Sequence, residues 1–172
     1  MTTDTVECDI NIASDHWDIL PDIDNLTRTA TAAAIRHAGI DTGNGIYVSF
    51  LLCGDDEIHD LNRRFRNIDK PTNVLSFPQI DGDAHAIALT IKQNNGTVPL
   101  GDIAISYDTI VREADDAAIP LSHHYVHMVV HGVLHLLGYD HINDRDAAEM
   151  EGMEIQILQK FSITDPYQRD IL

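Results

Sequence analysis

The chain has 172 residues, of which 44% are apolar and 23% charged, a composition that indicates one globular domain with a sizeable core. Its 28 acidic and 11 basic residues leave a net charge of −17, which repels polyanions at long range and by itself argues against a nucleic-acid partner. No apolar run approaches the roughly 20 residues that span a bilayer, and the N-terminus lacks the basic start and apolar core of an export signal, which predicts a cytoplasmic protein without a membrane partner.

The first half of the chain alternates strand and helix signals. Residues 5–13 alternate loosely between polar and apolar side chains, which indicates a strand, and residues 23–39 carry apolar side chains at helical spacing. Residues 46–53, IYVSFLLC, are rich in β-branched and aromatic side chains and give the clearest strand. A helix over residues 57–66 follows, and Asp55 is its expected cap.

The second half begins with two short predicted strands, residues 73–78 and 100–106. Between them, residues 79–98 are largely polar and contain Asp-Gly and Asn-Gly pairs, which predict a hairpin or an exposed loop. A helix is expected over residues 108–118, ending before a proline. Residues 121–137 then form a helix that is apolar nearly all round, so we expect it to be buried.

The last predicted helix begins at Asp144, which can cap it, and no repeat, low-complexity tract or linker interrupts the chain. Several strands with interspersed helices indicate one domain, residues 1–172, of the α+β or α/β class. We expect a small mixed sheet of about four strands, packed with helices around the central helix of residues 121–137.

The end of that central helix and the residues after it read HGVLHLLGYDH, in which His131, His135 and His141 follow the spacing H-x3-H-x5-H. Positions i and i+4 share one helix face with Cβ atoms about 5–6 Å apart, so the first two imidazoles can converge on one ion. His141 joins them only if the chain turns back, and Gly138 can end the helix in the left-handed conformation. Surface histidines are the simpler interpretation for a lone residue, but this trio predicts a metal site with a fourth position open for water, as in catalytic zinc sites.

Two neighbours bear on this prediction. His127 lies one turn before His131 and is a rival ligand, but it is about 12 Å along the axis from His135, so both cannot bind one ion. We therefore assign His127 to supporting a ligand or to the substrate side. Metzincin proteases share the histidine spacing but carry a general-base Glu where this chain has Gly132, which argues against peptide hydrolysis.

Three segments together resemble the YbeY family of bacterial metallo-endoribonucleases. They are RNIDKPTNVLSFP (residues 66–78), LGDIAIS (100–106) and HMVVHGVLHLLGYDH (127–141), and an acidic helix follows them. The resemblance runs in order from Leu61 to Tyr167, whereas the first 40 residues carry no matching motif.

The resemblance implies a cytoplasmic, zinc-dependent endoribonuclease that acts on single-stranded RNA, in 3′-end maturation of the small-subunit ribosomal RNA and in late ribosome quality control. It also implies one zinc ion bound by His131, His135 and His141, and the small ribosomal subunit and its proteins as partners. Arg66 matches the family's functional arginine, and a guanidinium can stabilise charge that develops on phosphoryl oxygens. Without the resemblance, Arg66 could be a surface residue at a helix end.

Two other functions stay open at this stage. One is a metal-dependent hydrolase of another substrate, and the other is a non-catalytic zinc-binding ribosome-assembly factor whose acidic surface binds basic ribosomal proteins. No residue stands out as the general base. Asp140 either orients a ligand imidazole or forms a turn, and Asp102 could be only a turn or strand-edge residue.

The basic residues are few but concentrated. Four of the eleven fall within eight positions: Arg63, Arg64, Arg66 and Lys70. A local cluster of this kind can bind RNA phosphates even though the protein as a whole is acidic. We expect it to lead one RNA strand toward the metal.

Overall fold

A four-stranded mixed sheet forms one layer of the protein, whose structure is a computed structural model that describes residues 5–42 and 45–168. The strands are β1 (Val6–Ile12), β2 (Ile46–Cys53), β3 (Val74–Pro78) and β4 (Val98–Ser106). They lie in the order β1-β2-β4-β3. β1, β2 and β4 are mutually parallel, and β3 runs antiparallel to β4 at the edge of the sheet.

Six α-helices lie among the described residues. They are α1 (Ile23–His37), α2 (Asp55–Arg66), α3 (Ala84–Gln93), α4 (Tyr107–Ala117), α5 (Leu121–Leu136) and α6 (Asp144–Gln159), and a short 3-10 turn over Asp15–Ile19 precedes α1. No helix among the described residues is long and apolar enough to cross a bilayer.

The central helix is α5, which packs against α1, α4 and α6 and against strands β3 and β4. Its apolar residues point in every direction, so burial on all sides is the arrangement that removes them from water. Val129, Val130, Val133 and Leu134 are fully buried, and each contributes about 1.5–3 kcal/mol relative to an exposed position. The predicted architecture, a small mixed sheet with helices around this one, is confirmed.

α1 approaches α5 closely because it presents small side chains at the contact. Ala30 and Ala34 are completely buried there, and Thr27 accepts or donates a hydrogen bond with the Tyr125 hydroxyl, 2.5 Å away. The packed core therefore holds α5 along its length, up to the turn that carries the histidines.

The hairpin or exposed loop predicted for residues 79–98 is wrong, because this segment contains α3. The Asp83 side chain caps the helix by accepting a hydrogen bond from the Ala86 N–H at 2.9 Å. Ile87 and Ile91, four residues apart, are both buried in the core. The Asp-Gly and Asn-Gly pairs that suggested a hairpin flank the two ends of this helix instead.

Both predicted aspartate caps are displaced by one residue. Gly54 and Asn143 occupy the cap positions, and Asp55 and Asp144 are the first residues of their helices. The Asp55 carboxylate is used differently: it accepts hydrogen bonds from Ser106 at the end of β4 and from residues of α4, which ties α2 to both elements.

Candidate metal centre

The turn after α5 returns the chain toward the helix. Gly138 has φ of +96°, its N–H donates to the His135 carbonyl at 3.0 Å, and the Tyr139 N–H donates to the Leu134 carbonyl at 3.0 Å. These two bonds form the Schellman motif that ends many helices. A Cβ at this glycine would lie 2.7 Å from backbone atoms at the start of α3, so the turn has no room for another residue type. The turn brings His141 back to the helix.

Three imidazoles meet at this turn. His131 and His135 lie on one face of α5 with ring centroids 4.6 Å apart, and the His141 ring lies 5.8 Å and 5.1 Å from them. One ring nitrogen from each lies within 4.8 Å of the others. The structure therefore brings together the three residues that the sequence singled out.

Hydrogen bonds orient two of the three rings. The His135 Nδ1 lies 3.0 Å from the Tyr139 carbonyl oxygen, and the His131 Nδ1 lies 2.6 Å from a carboxylate oxygen of Glu154. Carbonyl and carboxylate oxygens accept, so both Nδ1 atoms carry the proton, a tautomer inferred from these partners. Each Nε2 is left with a lone pair that points to the space between the three imidazoles, called the shared centre below.

These two Nε2 atoms lie 3.1 Å apart. Two lone pairs at this distance repel unless a cation or a shared proton lies between them. Burial, together with the neighbouring His131 and His141, lowers the pKa of His135 to about 4, so a proton is disfavoured at neutral pH. Nitrogens bound to one ion at about 2.0–2.1 Å in tetrahedral geometry lie about 3.3 Å apart. The donor set therefore fits a metal ion.

Glu154, on α6, is the buried carboxylate that supports this centre. It is 0% exposed, and its two oxygens accept from the His131 Nδ1 and from the Tyr167 hydroxyl, while the His127 Nε2 lies 3.3 Å away. Burial alone would raise the pKa of Glu154, but the hydrogen bonds from His127 and His131 lower it to about 2. The group is therefore a buried anion at neutral pH.

Sequence reasoning missed Glu154, although a signal was present. Met150, Ile157 and Leu158 lie four residues before it and three and four after it, and all are buried. A glutamate on the apolar face of a helix needs a buried partner, since an isolated charge is costly in the core. Nothing in the spacing could name that partner, because His131 is 23 residues away.

A second cluster, formed by His127, His131 and Glu154, also brings possible metal ligands together. Its geometry differs from that of the histidine trio. The His131 Nδ1 and the Glu154 oxygen are 2.6 Å apart, a hydrogen-bond distance that is shorter than the roughly 3.3 Å between ligands on one ion. This second cluster is therefore a hydrogen-bonded network, and His127 belongs to it.

A cleft of about 600 Å³ opens beside the three histidines. Arg66, the last residue of α2, lines it, donates a hydrogen bond to the Ser76 carbonyl of β3 and lies over the Phe77 ring with its guanidinium 5.3 Å from the centroid. Lys70 lines the same cleft. A fixed guanidinium beside a metal-binding set is suited to stabilising a developing phosphoryl charge.

Of the four basic residues expected to lead an RNA strand toward the metal, Arg66 and Lys70 line the cleft and the other two do not. Arg63 and Arg64 are exposed and bind the carboxylate of Asp60 at 2.7 Å and 3.3 Å. Asp60 lies three and four residues before them on α2, the spacing at which helical side chains pair. Their charges are thus partly neutralised within the helix and do not line the cleft.

The two aspartates left open in the sequence have different positions. Asp140 lines the cleft, and its carboxylate accepts from the His141 N–H at 2.7 Å, which holds the turn that carries this ring. Asp102 is exposed on β4 opposite Phe77 and does not line the cleft.

Gly132 explains why the protease-like base has no place here. A Cβ at this position would lie 3.0 Å from Ile103 and 3.3 Å from the Ser76 hydroxyl, and that hydroxyl donates to the Gly132 carbonyl at 3.1 Å. This side of α5 is pressed against the sheet, so it has no room for a glutamate side chain.

Comparison with known proteins decides the family. The family model described as Endoribonuclease YbeY matches residues 9–162. The chain belongs to the YbeY family. An Endoribonuclease YbeY of Bradyrhizobium diazoefficiens is 43% identical over 159 residues, covering 92% of this chain and 84% of the relative. One from Ruegeria pomeroyi is 45% identical over 163 residues, covering 92% of this chain and 96% of the relative.

A solved structure shares the fold of this YbeY family member. The solution structure of TM1509 from Thermotoga maritima is 25% identical, covers 94% of this chain and 99% of that chain, and aligns with a TM-score of 0.55. The resemblance recognised in three motifs is confirmed, and the family match also includes most of the first 40 residues, where no motif was found.

The close contact at Gly132 predicts opposite effects for one substitution at two helical glycines. Gly132→Ala should lower the free energy of unfolding by about 1–2 kcal/mol, because overpacking against the sheet outweighs the gain in helix propensity. Gly152→Ala on α6 should raise it by up to about 1 kcal/mol, since its Cβ meets nothing within 4 Å. Urea unfolding of both variants measures this, and a stabilised Gly132→Ala protein would contradict the packing argument.

Proposed function

We propose that the protein is a metal-dependent endoribonuclease that cleaves phosphodiester bonds of single-stranded RNA, with one zinc ion bound by His131, His135 and His141. Family membership supports RNA cleavage, since the relatives are named endoribonucleases. The observation that carries the metal assignment is the pair of Nε2 lone pairs that face each other 3.1 Å apart at the cleft.

The histidines and Arg66 have separate roles in binding the metal and the RNA phosphate. When bound by three histidines, zinc supplies a Lewis acid and lowers the pKa of a coordinated water. Arg66 places its guanidinium in the cleft, where it can bind a phosphoryl oxygen as charge develops. A hydrogen bond to the Ser76 carbonyl and contact with the Phe77 ring hold this side chain before substrate arrives, so little reorganisation is required of it.

We propose ribosomal RNA as the substrate, the small ribosomal subunit and its proteins as partners, and the cytoplasm as the compartment. The net charge of −17 supports docking on basic ribosomal proteins, since it repels free RNA at long range but attracts cationic surfaces. Both cysteines are buried free thiols, which suits a reducing compartment.

A cleavage assay on short single-stranded RNA, with and without chelator, tests the proposal. We expect chelator to abolish cleavage, and His131→Ala, His135→Ala and His141→Ala to lose both stoichiometric zinc and activity. His127→Ala should keep stoichiometric zinc, because its ring faces Glu154 instead of the shared centre. Metal analysis accompanies the assay, with circular dichroism as the check on folding.

Three results would count against this proposal. Zinc lost in His127→Ala but retained in His135→Ala would reverse the ligand assignment. Zinc-loaded protein that binds RNA without cutting it would favour a non-catalytic assembly factor. Cleavage of a peptide library in place of RNA would favour a hydrolase of another substrate, despite the lack of room for a base at Gly132.

Arg66→Ala should retain zinc and fold while losing RNA cleavage, mainly in kcat. The expected loss is about 2.7–4 kcal/mol of transition-state stabilisation, the scale for deleting one donor to a developing oxyanion. Arg66→Lys should restore little, because a point charge does not replace a planar fork. Arg64→Ala is the matched control, since this exposed arginine pairs with Asp60 outside the cleft. Equal kinetics for the two alanine variants would show that Arg66 does not stabilise the transition state and is only a surface residue.

The salt dependence of RNA binding should be shallow. Two cations line the cleft, and single strands lose affinity with a log–log slope of roughly −0.7 per phosphate contact, so we expect a slope of about −1 to −2. Lys70→Ala should reduce the slope by about 0.7, whereas Arg63→Ala should leave it unchanged. Titration of a short RNA across salt concentrations measures this, and a wild-type slope steeper than about −3 would require cations that the cleft lacks.

A further inference from the structure

The segment after α6 delivers a tyrosine hydroxyl to the interior beside the metal centre. Ile163 is buried and anchors this segment in the core. Asp165 then forms a local turn, in which its carboxylate accepts from the Tyr167 N–H at 2.8 Å. Tyr167 is 37% exposed, but its hydroxyl points inward and donates to Glu154 at 2.5 Å.

Glu154 connects the Tyr167 hydroxyl to His131, a proposed metal ligand. One of its oxygens accepts from the Tyr167 hydroxyl and the other accepts from the His131 Nδ1 at 2.6 Å. The carboxylate is fully buried, so it cannot rotate without leaving a buried oxygen unpaired, which costs free energy. The position of the tyrosine hydroxyl therefore fixes the plane of the carboxylate.

We infer that Tyr167 is a positioning residue for the metal centre: acting through Glu154, it holds the His131 imidazole in the tautomer and orientation that bind the ion. The inference rests on the proposed function to the extent that His131 is a metal ligand. Carboxylates that accept from a ligating imidazole fix its ring and raise its basicity, and their loss typically weakens metal binding by about 10–100-fold. Here the carboxylate itself needs a partner, and Tyr167 supplies it.

The neighbouring His127 contacts both Tyr167 and Glu154 and so belongs to the same network. Its ring meets the Tyr167 ring edge-on, with centroids 5.6 Å apart, and its Nε2 lies 3.4 Å from the hydroxyl and 3.3 Å from Glu154. Tyr167 thus contacts both the buried carboxylate and the His127 imidazole. Without the hydroxyl, the freed carboxylate oxygen would turn toward His127 or admit water, and the bond to His131 would lose its fixed direction.

A purely structural role for Tyr167, as an anchor of the C-terminal segment, makes a different prediction. An anchor would affect the unfolding temperature and leave zinc affinity unchanged. Tyr125→Phe provides the matched control, because it removes another inward-facing tyrosine hydroxyl, on α5 itself, whose partner is Thr27. Both variants lose one hydroxyl hydrogen bond, but only Tyr167→Phe touches the network that reaches His131.

The experiment measures the zinc dissociation constant of the full-length protein by competition with a chromophoric chelator. Tyr167→Phe should weaken zinc binding by about 10-fold or more, on the scale of lost supporting hydrogen bonds, whereas Tyr125→Phe should change it by less than about 3-fold. The His131 Nδ1–H proton resonance of the zinc-loaded protein should shift in Tyr167→Phe and stay in place in Tyr125→Phe.

A double-mutant cycle with Glu154→Gln tests the route of the effect. If Tyr167 acts through Glu154, the loss caused by Tyr167→Phe should largely disappear in the Glu154→Gln background. Unchanged zinc affinity in Tyr167→Phe, or losses that simply multiply in the double variant, would overturn the inference.

The zinc measurement separates this inference from the proposed function. Weakened zinc binding in Tyr167→Phe, in a protein whose wild type does not cut RNA, would support the positioning role while rejecting the proposed activity. A wild-type protein that binds no stoichiometric zinc would overturn both.

Discussion

Repulsion between two facing imidazole lone pairs is the constraint on which the rest of the site depends. The Nε2 atoms of His131 and His135 are 3.1 Å apart, each directed inward by a hydrogen bond at the opposite side of its ring. A bound cation relieves such a contact, whereas the lowered pKa of His135 disfavours a shared proton at neutral pH. The fold holds the two rings in place from three directions: the core along α5, the buried carboxylate on α6, and the backbone of the turn that follows.

Each of these supports has its own physical origin. α5 is fixed because most of its residues are buried, so it cannot slide or rotate without exposing apolar side chains. The turn is fixed because Gly138 adopts a conformation that other residues avoid, in a space too small for a Cβ. The carboxylate of Glu154 is fixed by donors on both oxygens. A rigid site of this kind spends little free energy on reorganisation when the ion binds.

Much of the fold could be predicted because its signals are local. The histidine spacing, the helix-ending Gly138 and the apolar run of α5 are contained in a short stretch, and helical geometry converts that spacing into proximity. The strands were also predictable, since their β-branched and aromatic residues lie in runs bounded by turn residues.

The errors and omissions have physical reasons. α3 was missed because the turn signals at its two ends also suit a hairpin, and only the burial of Ile87 and Ile91 decides between them. Glu154 and Tyr167 were missed because their partners are brought close by tertiary packing, at separations that no helical period relates. The arginine cluster was overcounted because Asp60 pairs with two of its members on the same helix.

Ser76 of the edge strand β3 links the two sides of the cleft. Its carbonyl accepts from the Arg66 guanidinium, and its hydroxyl donates to the carbonyl of Gly132, the neighbour of His131. Edge strands have a partner on one side only and are freer to move than central ones. Because both contacts converge on one residue, the guanidinium and the helix that carries His131 are positioned relative to the same point of β3.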